Sequence, residues 1–227
     1  MCGRMSLFKP SKEIGVRFGV EPGRDYTPRY NIAPQQRLDV VTDLDVDEMD
    51  RFQWGLRPHW VDDPDDWGHP INARAETVDS KPSFRAAFAE RRCLVVADGF
   101  YEWQGESGKK RPYRVHRADD DLFAFAGLWE SWGENGDELQ TVTIITTEPN
   151  DTMEPIHDRM PVMLEPDDEA RWLEEDDPAE LKAMLDPYPD ELTDAYEIST
   201  KVNSPSNDSP DIIEPLGHGQ SGLGQFG

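Results

Sequence analysis

The stretch from residue 93 to 146 most restricts the fold. CLVVA, FYEW, YRVH, LFAFAGL and LQTVTIIT follow one another there with only turn-length spacers. β-Branched and aromatic residues dominate these runs, which is strand chemistry, and no long helical period of apolar positions intervenes. Such a chain builds strands joined by short turns, without the regular βαβ alternation of a doubly wound sheet. The expected class is α+β: a single domain with a mixed, strongly curved β core and peripheral helices.

The flanking sequence fills in that outline. Leu38–Thr42 and Phe52–Leu56 carry strand-like content, whereas 26–34 and the acidic, proline-containing 61–70 read as loops. Short helices are expected over 12–19 and over Phe84–Glu90, the latter capped by Ser83. Another runs to Glu174 behind Asp167 or Asp168, and a fourth covers Ala179–Leu185 behind Pro178. Asp98-Gly99 marks a turn or bulge between two strands. At 227 residues the chain can bury one substantial core without disulfide or metal staples. The domain is expected over 2–216, with 217–227, rich in Gly and Ser, as a mobile tail.

Charge narrows the partners. The formal net charge is −24, which repels nucleic-acid phosphates unless positive side chains gather locally. Scarce lysine beside abundant Asp and Glu fits a salty cytoplasm, where screening is short-ranged, and suggests a halophilic archaeal source. No apolar run has the length of a membrane span, and the first residues lack a secretory h-region, so the expectation is a cytoplasmic monomer. Arg4, Arg74, Arg85, Arg91, Arg92, Lys109, Lys110, Arg111 and Arg114 are candidates for a local basic groove. Two cysteines make neither a disulfide scaffold nor a zinc site, and no metal or cofactor motif occurs. Cys93, inside CLVV, reads as a buried hydrophobe.

Cys2 is different. With Met1 removed, as the small residue behind it favours, it offers an α-amine and a thiol on one exposed residue. The amine condenses with an aldehyde to an iminium, and the thiol then closes a five-membered thiazolidine on the same carbon. Their ordinary pKa values, roughly 8 and 8.5, leave reactive fractions near neutrality.

The surrounding words point further. CGR at 2–4, RYNIAP at 29–34, WGL at 54–56, NARAET at 72–77 and KPSFR at 81–85 occur in this order. RRCLVVADGFYEW at 91–103, FAGLW at 125–129 and IHDRMPVML at 156–164 follow. The ordered set resembles the SRAP family, the SOS-response-associated peptidase-like proteins, and covers most of residues 2–164. VN at 202–203 and IIEP at 212–215 fit more loosely. The resemblance implies a single-stranded DNA partner containing an abasic site, met during replication alongside the replication machinery. It also implies a protective covalent crosslink with slow reversal and limited lyase activity, and it assigns catalytic roles to Cys2, Asn72, Glu102 and His157. Arg4, Arg74, Arg85, Arg159 and Trp67 are the candidate DNA contacts, with Trp54, Phe100 and Trp103 as further stacking surfaces. Two other readings stay open: an N-terminal-cysteine peptidase or autoprotease, and a non-covalent single-stranded DNA-binding module.

Overall fold

The computed structural model describes residues 2–23, 25–42, 44–62, 67–106, 110–133 and 138–217. In chain order the strands are β1 (Met5–Leu7), β2 (Arg29–Ile32), β3 (Arg37–Thr42), β4 (Asp50–Trp54), β5 (Asn72–Arg74) and β6 (Arg92–Ala97). They continue as β7 (Gly99–Gln104), β8 (Arg111–Arg117), β9 (Phe123–Trp132), β10 (Leu139–Thr147), β11 (Met160–Pro161) and β12 (Thr193–Glu197). The helices are α1 (Ser11–Phe18), α2 (Arg85–Glu90), α3 (Pro166–Glu174) and α4 (Pro178–Ala183).

One sheet runs β10-β4-β3-β6-β9 and returns to β10, so it closes into a small barrel with β5 and β11 along β10. All its pairings are antiparallel except β10–β4 and β10–β5. The interior side chains include Val40, Val95, Phe125, Val142 and Ile144, all fully buried. Closure needs sharp curvature, and Gly127 marks one close approach: a Cβ there would sit 2.7 Å from Cys93 Sγ. Cys93 is accordingly a buried hydrophobe, as expected.

The second sheet runs β12-β8-β7-β1-β2. It is joined to the barrel by one nearly continuous stretch of chain, because β6 ends at Ala97 and β7 begins at Gly99. Asp98-Gly99 is therefore the corner where one strand changes sheets. A glycine suits that corner, because a Cβ would lie 3.0 Å from the Arg114 guanidinium, closer than ordinary contact. The curved, mixed β core and peripheral helices match the sequence expectation.

Several local expectations need correction. Ser83 does not cap α2: Phe84 occupies the N-cap without a side-chain bond, and Glu165 precedes α3 in place of either aspartate. Asp177 does cap α4, accepting the Ala179 N–H at 2.8 Å. Residues 29–32, read as loop, form β2, and β1, β5 and β12 were not foreseen. The expected tail falls outside the described residues apart from Gly217.

The basic groove largely dissolves. Arg92 is buried and donates to the carbonyls of Phe88, Ala89, Trp172, Leu173 and Glu175, capping the ends of α2 and α3. Arg114 is buried on the Asp98 carbonyl at 2.8 Å. Arg91 bonds to Glu130 at 3.0 Å and Arg111 faces Glu197. Lys109 lies outside the described residues.

Candidate active site

The site begins with β1, which has only three residues. It is wedged between β2 and β7, with Met5 opposite both Ile32 and Phe100. So short a strand is fixed by polar clamps. The Asp98 carboxylate accepts from Ser6 Oγ at 2.7 Å and from the backbone N–H groups of Phe8 and Lys9. Upstream, the Tyr101 N–H donates to the Arg4 carbonyl at 2.9 Å and carries the ladder toward Cys2 alongside Glu102.

Alternation along β7 sorts its side chains. Phe100 joins the main core, while Tyr101 and Trp103 pack in a smaller cluster with Ile198, Val202 and Ile212. Glu102 lies on the opposite face from those two aromatics and is 2% exposed. Burial pushes its carboxyl up to about 7, against the opposing pull of the positive amino terminus.

Cys2 is fully buried, which corrects the expectation of an exposed nucleophile. Its Sγ lies 3.9 Å from the Arg4 carbonyl oxygen. Burial and then the Glu102 charge drive its thiol pKa far upward, so the resting sulfur is protonated.

His157 follows a one-turn segment whose Pro155 carbonyl accepts from Gln104 Nε2 at 2.7 Å. That bond ties the end of β7 to the histidine turn. The ring Nδ1 accepts the Arg159 N–H at 3.0 Å, which puts the proton of the neutral imidazole on Nε2. Burial, then the amino-terminal charge, lowers its pKa below the ordinary value, while Asp158 pulls the other way.

Asn72 lies on β5 beside β10, where Asn72 sits opposite Ile144, Arg74 opposite Thr146 and Met160 opposite Thr147. Its Oδ1 is buried without a hydrogen-bond partner among the described residues. Buried acceptors of that kind are uncommon and leave a lone pair for a ligand.

The candidate DNA contacts divide. Arg74 and Arg85 are exposed. Arg4 is engaged within the protein, donating to Asn31 Oδ1 at 2.7 Å and the Val202 carbonyl at 2.5 Å, with its guanidinium 5.7 Å from the Trp103 ring centre. Arg159 is held by Glu76 and Thr146. Trp67, expected to be exposed, is half-buried: its indole N–H donates to the Leu56 carbonyl at 3.0 Å and its ring meets Trp60 edge-on. Trp54 and Phe100 are fully buried and present no stacking face. Trp60, half exposed, is the aromatic that sequence reasoning passed over. Its sole sequence signal is its place in the long loop before Asn72. Lys110, a candidate for the basic groove, has a charge that reaches both Glu102 and His157.

A family model described as SOS response associated peptidase (SRAP) matches residues 1–205. The chain is 44% identical over 222 residues to the abasic site processing protein YoqW of Bacillus subtilis, covering 94% of this chain and 99% of that one. It is 42% identical over 226 residues to YoaM, an abasic site processing protein of the same organism, covering 96% and 100%. A crystal structure of a protein from Bacteroides thetaiotaomicron superposes with a TM-score of 0.86 at 30% identity, covering 95% of this chain and 100% of that one.

Proposed function

The chain belongs to the SOS response associated peptidase (SRAP) family, and from that premise we propose that it captures abasic sites in single-stranded DNA as a covalent adduct on Cys2. The observation that carries this reading is the buried Glu102 carboxyl. It is poised to hold or release a proton near neutrality, and its charge acts on Cys2. A group with that pKa serves as acid and base in one cycle.

The steps balance as follows. Met1 is removed, leaving the Cys2 amine as the first nucleophile. Protonated Glu102 donates to the ring oxygen of the abasic sugar while His157 takes the proton of the anomeric hydroxyl, and the aldehyde is released. The amine adds to that carbon, and the carbinolamine hydroxyl takes the proton back from His157 and leaves as water, giving an iminium. Its new positive charge replaces a neutral carbonyl beside the thiol and favours thiolate formation. The thiol proton passes to the Glu102 carboxylate as sulfur bonds to the iminium carbon, giving a neutral thiazolidine. Ring closure removes the electron sink that drives β-elimination, so the strand is protected. Running the steps backward accounts for slow reversal, and escape at the iminium for limited lyase activity. Asn72 Oδ1 orients the amine or a sugar hydroxyl. Arg74 and Arg85 supply phosphate contacts, with Arg4, Arg159 and Trp67 shaping the walls.

A peptidase mechanism would pair the thiol with a histidine base, whereas Cys2 Sγ contacts the Arg4 carbonyl. Intact-protein mass analysis after incubation with abasic single-stranded DNA is the test. Wild type gains the DNA mass, resists denaturation and survives a high-salt wash, and Cys2→Ala gains nothing. An acyl adduct on Cys2, or normal capture by protein that retains Met1, would overturn the reading.

A further inference from the structure

We propose that Glu76 is a positioning residue for His157 and acts through Arg159; this rests on reading His157 as a proton-transfer group in aldehyde capture. Both carboxylate oxygens of Glu76 accept from the two terminal nitrogens of Arg159, a bidentate pair across 83 positions of sequence. The same guanidinium donates to the Thr146 carbonyl on β10 at 2.6 Å, an oxygen that also takes the Ala75 N–H at 2.9 Å. The Arg159 side chain is therefore pinned to β10 and to the turn that follows β5.

Its backbone reports on the histidine. The Arg159 N–H is the donor to His157 Nδ1, and Asp158 Oδ1 stands equally close to that nitrogen, at 3.0 Å. These two neighbours favour opposite ring states. An N–H donor needs an unprotonated Nδ1 and leaves the proton on Nε2. A carboxylate invites a proton onto Nδ1. Holding Arg159 in place selects the first state. The remaining charges acting on the ring are the amino terminus and Lys110, which both disfavour an imidazolium. The Glu76 turn is braced from its other side by Lys182, which donates to the Ala75 carbonyl at 2.7 Å and pairs with Asp79.

Glu76 is half exposed, so its pair contributes little to global stability. Its effect belongs in the rate and in the ring, not in the melting temperature. The experiment compares wild type, Glu76→Gln and Glu76→Ala by single-turnover adduct formation on abasic single-stranded DNA across mildly acidic to mildly basic pH. Nitrogen-15 NMR of the His157 ring runs alongside. Glu76→Ala should form adduct roughly tenfold more slowly near neutrality, a fraction of the ~10²–10⁴-fold that acid–base groups typically contribute. Its ring tautomers should shift toward Nδ1–H. Glu76→Gln, which keeps one acceptor oxygen, should fall between.

An unchanged ring tautomer and pH profile in folded Glu76→Ala would overturn the proposal. So would uniformly faster capture with the profile unmoved, because Glu76 would then merely screen the Arg159 cation from phosphate. If wild type itself forms no adduct, the capture reading fails, and the ring spectra alone still decide whether Glu76 positions His157.

Discussion

The barrel and the smaller sheet are held together by different forces. In the barrel, long strands such as β9 and β10 bury nearly every residue, and the interior is aliphatic and aromatic. Many interchangeable contacts share the stabilisation, so loss of one is graded. The smaller sheet carries the Cys2 strand and relies on single polar residues that bridge distant parts of the chain. Asn31 Nδ2 donates to the carbonyls of Val202, Ser204 and Asn207, and the Asp208 carboxylate accepts the backbone N–H groups of Tyr30 and Asn31 while pairing with Arg29. Each of these is irreplaceable at its position. The three-residue strand that follows Cys2 cannot draw enough burial energy from so few side chains, and polar clamps supply the fixity instead.

The sharpest way to break that contrast is to damage each region equally. Asp98→Ala removes the acceptor of Ser6, Phe8 and Lys9 and a counter-charge of buried Arg114, at about 3–5 kcal/mol. Leu128→Ala in the barrel costs a similar ~2–5 kcal/mol. Denaturant titration should find both destabilised, but adduct formation per folded molecule should collapse only for Asp98→Ala. Equal rates in the two would dissolve the distinction.

Two buried carboxylates sharpen it further. Burial pushes Asp39, on β3, up to about 6 and Glu102, on β7, up to about 7. A carboxyl whose folded pKa is raised contributes stability that is full below its unfolded value and is lost as pH rises through the folded one. Asp39→Asn and Glu102→Gln should therefore both gain stability over wild type as pH climbs through those values, as thermal melts at several pH values would record. Glu102→Gln should lower capture by roughly 10²-fold or more, while Asp39→Asn leaves it unchanged. A smaller effect is expected at the C-terminal strap. Asp208→Ala should cost about 1–3 kcal/mol and speed amide exchange over 200–212 while barrel amides keep their protection.

The same contrast governs what the sequence disclosed. Cys93–Ala97 through Leu139–Thr147 were legible because each run is long, apolar and strand-patterned, which is also why they form the barrel. β1 is too short for any period to register. β2 hides between Pro28 and Pro34, and its Tyr30 N–H is satisfied by a carboxylate 178 positions away. Arg92 and Arg114 were read as surface cations because their carbonyl partners come from helix ends and from the sheet corner. The facing of Glu102 against Tyr101 and Trp103 follows from strand alternation within β7. Its burial, and that of Cys2, depended on how two sheets meet.

The placement of β1 makes the peptide ahead of it a ruler. Each extended residue advances about 3.3 Å, and Met5 is locked in register on both sides. A single glycine inserted after Gly3 would carry the thiol past Glu102 by a full step and reverse the side on which it projects. Affinity tags and fusion partners for this chain therefore belong at its carboxyl end.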